Sequence, residues 1–197
     1  MKIYGISRKK LNTDGPGITN LVALANCPLC CKYCLNKNII KNNTIYEVSN
    51  EELLKDVMQE YCYFVATNGG ITLGGAEPLL QWKEILDFYN ILEPKVSLNI
   101  ETSLQGKGEA IEALKPIINF WLIDIKTLDN NIYKKYTGGD NKIVLENLNR
   151  LLEVQDKCKI RIPIIPNYKD KEIALKEYDQ IKEIGFNNIE IFNYIIR

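Results

Sequence analysis

Six short apolar runs, each followed by an amphipathic or polar segment, constrain this chain more than any other feature. They are "LVALANC" (21–27), "ITLGG" (71–75), "KVSLNIETS" (95–103), "NFWLIDIK" (119–126), "KIRIPIIP" (159–166) and "NIEIFNY" (188–194). Most are continuous rather than alternating, as in parallel strands buried on both faces. Between them apolar residues recur at helical spacing: Leu53, Leu54, Val57, Met58 and Tyr61 behind a Ser49/Glu52 capping-box pair, then Trp82 to Tyr89, "EAIEAL" (109–114), Ile143 to Val154 and Ile173 to Ile184. This alternation predicts an α/β fold of successive βα units. A closed eight-stranded barrel takes about 250 residues, and the chain has 197. The expectation is therefore a partial (β/α)6 barrel with an open parallel sheet, one domain spanning residues 1–197.

Charge and composition narrow the function. Lys plus Arg and Asp plus Glu number 25 each, so net charge gives no reason to expect a nucleic-acid or anionic-membrane partner. "MKIYGISRKK" lacks the apolar core of a signal peptide, and no apolar run is long enough to span a bilayer. A cytoplasmic protein is expected. Histidine is absent, which excludes Ser/His and Cys/His nucleophile systems, His-bearing zinc sites and imidazole acid–base chemistry. Six cysteines in a cytosolic chain point to metal or redox chemistry before structural disulfides.

Four of those cysteines stand in "CPLCCKYC" (27–34), and three readings of it compete. Cys27/Cys30 or Cys31/Cys34 would make a redox CxxC, although that motif normally opens a helix in a small thioredoxin-like fold. Four thiolates could hold zinc, although all-thiolate zinc sites usually use two separated pairs. Cys27, Cys31 and Cys34, spaced Cys-x3-Cys-x2-Cys, could hold three irons of a [4Fe-4S] cluster and leave the fourth iron open.

The third spacing resembles the radical S-adenosylmethionine (SAM) superfamily, whose motif carries an aromatic where Tyr33 stands. Further motifs follow in order: "DGPGI" (14–18), "ITLGGAEPLLQ" (71–81), "DIK" (124–126) with "YKKYTG" (133–138), and "RIPIIP" (161–166). Together they resemble the glycyl-radical-enzyme activases over nearly the whole chain. The resemblance implies a [4Fe-4S] cluster and SAM as cofactors, reductive cleavage of SAM to a 5′-deoxyadenosyl radical, and hydrogen abstraction by that radical. It also implies a protein or peptide substrate, most directly a glycine Cα in a partner glycyl radical enzyme, and a flavodoxin-like electron donor. A radical SAM enzyme acting on another peptide or a small nucleobase-like molecule is the alternative, and a non-catalytic iron-sulfur or zinc protein is a second.

Residue by residue, the resemblance makes Cys27, Cys31 and Cys34 the cluster ligands and places Tyr33 near the adenine. Gly75 and Ala76 would let backbone approach the methionine moiety, and Glu77 would take up its ammonium. Asp124 would accept from ribose hydroxyls beside Lys126, and Arg161 would meet a carboxylate or ribose. Thr102 would join Glu101 and Asp124 around a monovalent cation, while Asp14 would face the substrate loop. Cys30, Cys62 and Cys158 read as inert thiols, with Cys62 on a buried helix face. The chain departs from the pattern at Cys30 (an arginine is common there), Ala76 (glycine), Leu35 (histidine) and Ile195 (histidine), and no second cysteine-rich insert follows the cluster motif.

Overall fold

A computed structural model describes residues 1–38 and 45–194; Ile195 lies outside them. The described strands form one open eight-stranded sheet: β1 (Lys2–Leu11), β2 (Ile18–Leu24), β3 (Tyr46–Glu47), β4 (Gly70–Gly74), β5 (Ser97–Thr102), β6 (Phe120–Asp124), β7 (Cys158–Ile164) and β8 (Ile189–Asn193), in spatial order β3-β1-β2-β4-β5-β6-β7-β8. From β2 to β8 every neighbouring pair is parallel. These are the six expected strands in their expected order.

The edge differs from expectation, because β1 and β3 join antiparallel at the β2 side. β1 is hard to see in "KIYGISRKKL" because its register against β2 shifts twice, between Ile3 and Gly5 and between Ser7 and Lys10, with Gly5 and Lys9 at positive φ. Such bulges break the period-two alternation that marks a half-exposed strand.

The described helices are α1 (Asn50–Val57), α2 (Tyr61–Thr67), α3 (Trp82–Tyr89), α4 (Gly108–Leu114), α5 (Asn130–Thr137), α6 (Lys142–Arg150) and α7 (Lys171–Ile184). The Ser49/Glu52 box caps α1 in both directions, at 3.1 and 3.0 Å. A 3₁₀ turn over Met58–Glu60 then separates α1 from α2. Its tighter winding resets the phase of the following face, so Phe64 is buried and Cys62 is exposed, contrary to the buried face expected from one continuous helix. α5, a helix the apolar pattern does not announce, is set by its ends: Asp129 accepts from the Asn131 and Ile132 amides, and Gly138 closes it at φ +77°.

The strands also bury themselves differently from the expectation of two apolar faces. Leu98 and Ile100, Trp121 and Ile123, Ile160 and Ile162 share a core with helix residues such as Phe88 and Leu148. The opposite face of the same strands carries Asn99, Glu101, Asp124 and Arg161. Strands with one apolar and one polar face position the chemistry: the polar face opens toward the C-terminal strand ends. Among the described residues no helix is long and apolar enough to cross a membrane.

Candidate active site

The cysteine segment leaves β2 through Asn26, which holds φ +72° and whose carbonyl accepts from the Glu77 amide at 3.1 Å. Further along, the Cys30 amide donates to the Thr137 carbonyl at 2.8 Å and the Lys32 amide to the Tyr136 carbonyl at 3.0 Å, fastening the loop to the end of α5. Cys34 donates its amide to the Cys31 carbonyl at 3.3 Å, so these two thiols sit on one turn. Asn36 then donates its side-chain amide to the Gly75 carbonyl. Cys27, Cys31 and Cys34 are half-buried and Cys30 is exposed. Burial pushes the Cys27 thiol up to about 11, with Glu77 and the other cysteines adding to the rise. Cys31 is raised by the same cause, against the pull of Lys126. These thiols are neutral until a metal takes them as thiolates.

Three half-buried thiols on one loop, close enough to influence each other, form a donor set suited to iron. Among the described residues no three His, Cys, Asp or Glu side chains converge on a single-ion site. A cubane does not ask for that convergence, since each thiolate takes a different iron.

The other motifs arrive at the same strand ends. Gly75, after β4, has φ +83°, and a Cβ there would stand 2.8 Å from that of Ala23, so the turn admits only glycine without strain. Ala76 beside it is half-buried. Glu77 is fully buried: Thr102 Oγ1 donates to it at 2.6 Å and Ser103 Oγ at 2.7 Å, with the Ser103, Leu79 and Gln105 amides at 3.1, 3.2 and 3.4 Å. Burial still raises its pKa against all of these bonds. These bonds lock the β4 turn to the end of β5.

A ladder of charges crosses the polar face. Arg161 Nε donates to Asp124 Oδ1 at 2.6 Å and its Nη2 to Glu101, while Lys126 Nζ donates to Asp124 Oδ2 at 3.0 Å. Burial opposes all three charges on Asp124, Lys126 and Arg161, but their mutual attraction wins: Asp124 is lowered, Lys126 and Arg161 raised. At Glu101 burial wins and the pKa rises. The expected cation group does not assemble. Thr102 points to the other side of β5 and is spent on Glu77, and the Arg161 guanidinium lies between the two carboxylates.

Tyr33 stands in an aromatic group, 6.1 Å from Tyr136, 6.0 Å from Tyr168 and 6.4 Å from Tyr194 by ring centroids. Its hydroxyl accepts from Asn167 at 3.1 Å and its carbonyl from Tyr194. Asp14 lies in the β1–β2 turn, where Asn12 ties back to Gly17 and the Asp14 carbonyl accepts from Thr72 on the polar face of β4. Among the described residues its Oδ2 has no hydrogen-bond partner, with Lys10 at 3.7 Å. Cys158 begins β7 and is buried, in keeping with an inert thiol.

Several residues that shape this site escaped sequence reasoning: Asn36, Asn167, Tyr168, Lys169 and Glu177. Only Glu177 left a signal, a charged residue between Ala174 and Ile181 on the buried stripe of α7.

An open α/β sheet with a three-thiol loop at the C-terminal strand ends, facing a charged, aromatic-walled mouth, defines an enzyme built around a metal cluster. A model of the Radical SAM superfamily matches residues 21–177, and the chain belongs to that superfamily. Its cofactors are accordingly a [4Fe-4S] cluster and SAM. The chain is 33% identical to a pyruvate formate-lyase-activating enzyme of Clostridium pasteurianum, over 98% of this chain and 82% of that one. It is 29% identical to the enzyme of the same name from Staphylococcus epidermidis, over 92% and 75%. Among solved structures, Streptococcus suis SuiB bound to S-adenosylmethionine superposes with a TM-score of 0.67 at 18% identity, covering 86% of this chain and 38% of that one. That last likeness concerns the fold of the core alone.

Proposed function

We propose that this radical SAM enzyme is a glycyl-radical-enzyme activase, a single core domain that removes hydrogen from a glycine Cα of a partner enzyme. One observation carries the reading: the similarity to enzymes named as pyruvate formate-lyase-activating runs over 92% to 98% of the chain rather than over the cluster motif alone. When bound, the cluster and SAM together supply one-electron cleavage of the sulfonium and, from it, hydrogen-atom abstraction.

The chain's own residues do the placing. Cys27, Cys31 and Cys34 hold the cluster. Tyr33, with Tyr168 beside it, offers an apolar wall with polar edges for an adenine. Asp124 accepts from ribose hydroxyls, and Lys126, kept cationic by Asp124, attracts a carboxylate. Gly75 brings backbone within reach of the methionine group, and Glu77 holds that turn in place. Arg161 exchanges part of its grip on Glu101 and Asp124 for ligand contacts. Asp14, with an oxygen that Lys10 approaches at 3.7 Å without a hydrogen bond, suits a backbone amide of the substrate loop. The electron comes from a flavodoxin-like protein in the cytoplasm.

The test begins with anaerobic reconstitution, dithionite and SAM. Formation of 5′-deoxyadenosine is expected, and a loaded cluster without it would overturn the catalytic reading. Addition of a glycyl radical enzyme from the same organism should then give an organic-radical EPR signal whose splitting disappears with α-deuterated glycine. SAM cleavage without that signal would overturn the activase reading and leave the chemistry standing.

A further inference from the structure

Glu177 breaks the pattern of its own helix. Ala174, Glu177 and Ile181 form the buried stripe of α7, and the middle one carries a charge with 3% of its surface exposed. Its partner Lys169 is as hidden, with Nζ 2.7 Å from Glu177 Oε2 and a side chain that is 0% exposed. A buried ion pair is a poor stabilising device, because desolvation of both charges cancels most of their attraction, and apolar replacements often do as well. The pair's connections are more informative than its charge. Glu177 Oε1 accepts from Thr127 Oγ1 and from the Leu128 amide at 2.7 Å, gripping the turn that follows Lys126. Lys169 closes the turn after β7: its amide and carbonyl pair with Ile165 at 2.8 Å each, and between them stand Asn167, at φ +67°, and Tyr168. Asn167 holds the Tyr33 hydroxyl, and the Tyr168 ring stands edge-on to Tyr33. One carboxylate thus ties together the two loops that follow the neighbouring strands β6 and β7.

We propose that Glu177 is a positioning residue of the SAM site. One oxygen fixes the Thr127–Leu128 turn and through it Lys126; the other fixes Lys169 and through it the Asn167–Tyr168 turn. The spacing between the charged wall and the aromatic wall is then set from beneath by a residue that touches no ligand. The inference rests on the placement of SAM between these walls proposed above.

Two variants test it in the reconstituted holoenzyme. Lys169→Met with Glu177→Gln removes both buried charges together, keeps an acceptor for Thr127 and Leu128, and cuts the tie to the Asn167 turn. Thr127→Val removes the side-chain bond of the other tie, leaving the Leu128 amide as its one remaining link to Glu177. Iron content, thermal midpoint and the SAM dissociation constant from equilibrium dialysis are measured for each, with the change in the reduced cluster's EPR spectrum on adding SAM. Both variants are expected to hold the parent's iron, bind SAM ~10-fold or more weakly, since small misplacements of contact groups are costly, and show a diminished spectral response. A purely structural pair would lower the midpoint and leave affinity and spectrum unchanged. SAM affinity within twofold of the parent in an iron-loaded variant overturns the proposal. If the double variant fails to fold, Thr127→Val decides by the same measure. Failure of the parent itself to bind SAM would overturn the placement of SAM instead.

Discussion

Replacing Arg161 by Met should destabilise the fold, by an amount that grows with pH. The guanidinium bridges Asp124 at 2.6 Å and Glu101, whose side chains are 17% and 21% exposed. Breaking a buried pair by removing one partner costs about 3–5 kcal/mol. Two features favour the lower end: the remaining exposure, and Lys126, which still neutralises Asp124 at 3.0 Å. Glu101 has no second partner among the described residues, and burial already raises its pKa. Without Arg161 it rises further. A carboxyl whose folded pKa lies above its unfolded value contributes stability that is complete below about pH 4 and lost as pH rises through the folded pKa. The deficit relative to the parent should therefore be small at pH 5 and reach about 3 kcal/mol by pH 8, where the midpoint falls by on the order of 10 °C. Anaerobic urea titrations at several pH values measure it. Arg161→Lys should recover only part, because an ammonium lacks the fork that spans both carboxylates. A deficit below about 1 kcal/mol, or one equal at pH 5 and pH 8, would refute the reasoning.

Other substitutions probe the remaining parts of the site. Gly75→Ala should cost about 2–4 kcal/mol in urea unfolding, combining a positive φ with a contact 2.8 Å from Ala23. Glu77→Ala orphans the buried donors of Thr102 and Ser103 and should lose about 2–4 kcal/mol by thermal melting; Glu77→Gln, which keeps one accepting oxygen, should lose less. Serine at Cys27, Cys31 or Cys34 should abolish iron and sulfide uptake on reconstitution, whereas Cys30→Ser should keep it; the reverse result for Cys30 and Cys31 would reassign the ligands.

Local pattern carried a large part of this protein. The six parallel strands and most helices lie where short apolar runs and helical spacing put them, because burial against a helix layer needs a fixed period and nothing from distant residues. The cysteine spacing was readable for the same reason: it is set within a few residues. β1 was hidden by its bulges, and Cys62 was misplaced by a single 3₁₀ turn, since a local irregularity shifts every later residue's face.

The amino-acid sequence alone thus determined the order of elements, the strand ends at which chemistry gathers, and the donor atoms available there. Tertiary structure decided which of those groups meet. Arg161 finds Glu101 across 60 residues and Asp124 across 37. Glu77 spends its carboxylate on the end of β5, and Glu177 joins two loops from inside the core. Each pairing follows from strand register and helix docking, which depend on packing throughout the sheet, and no local window of residues contains that information.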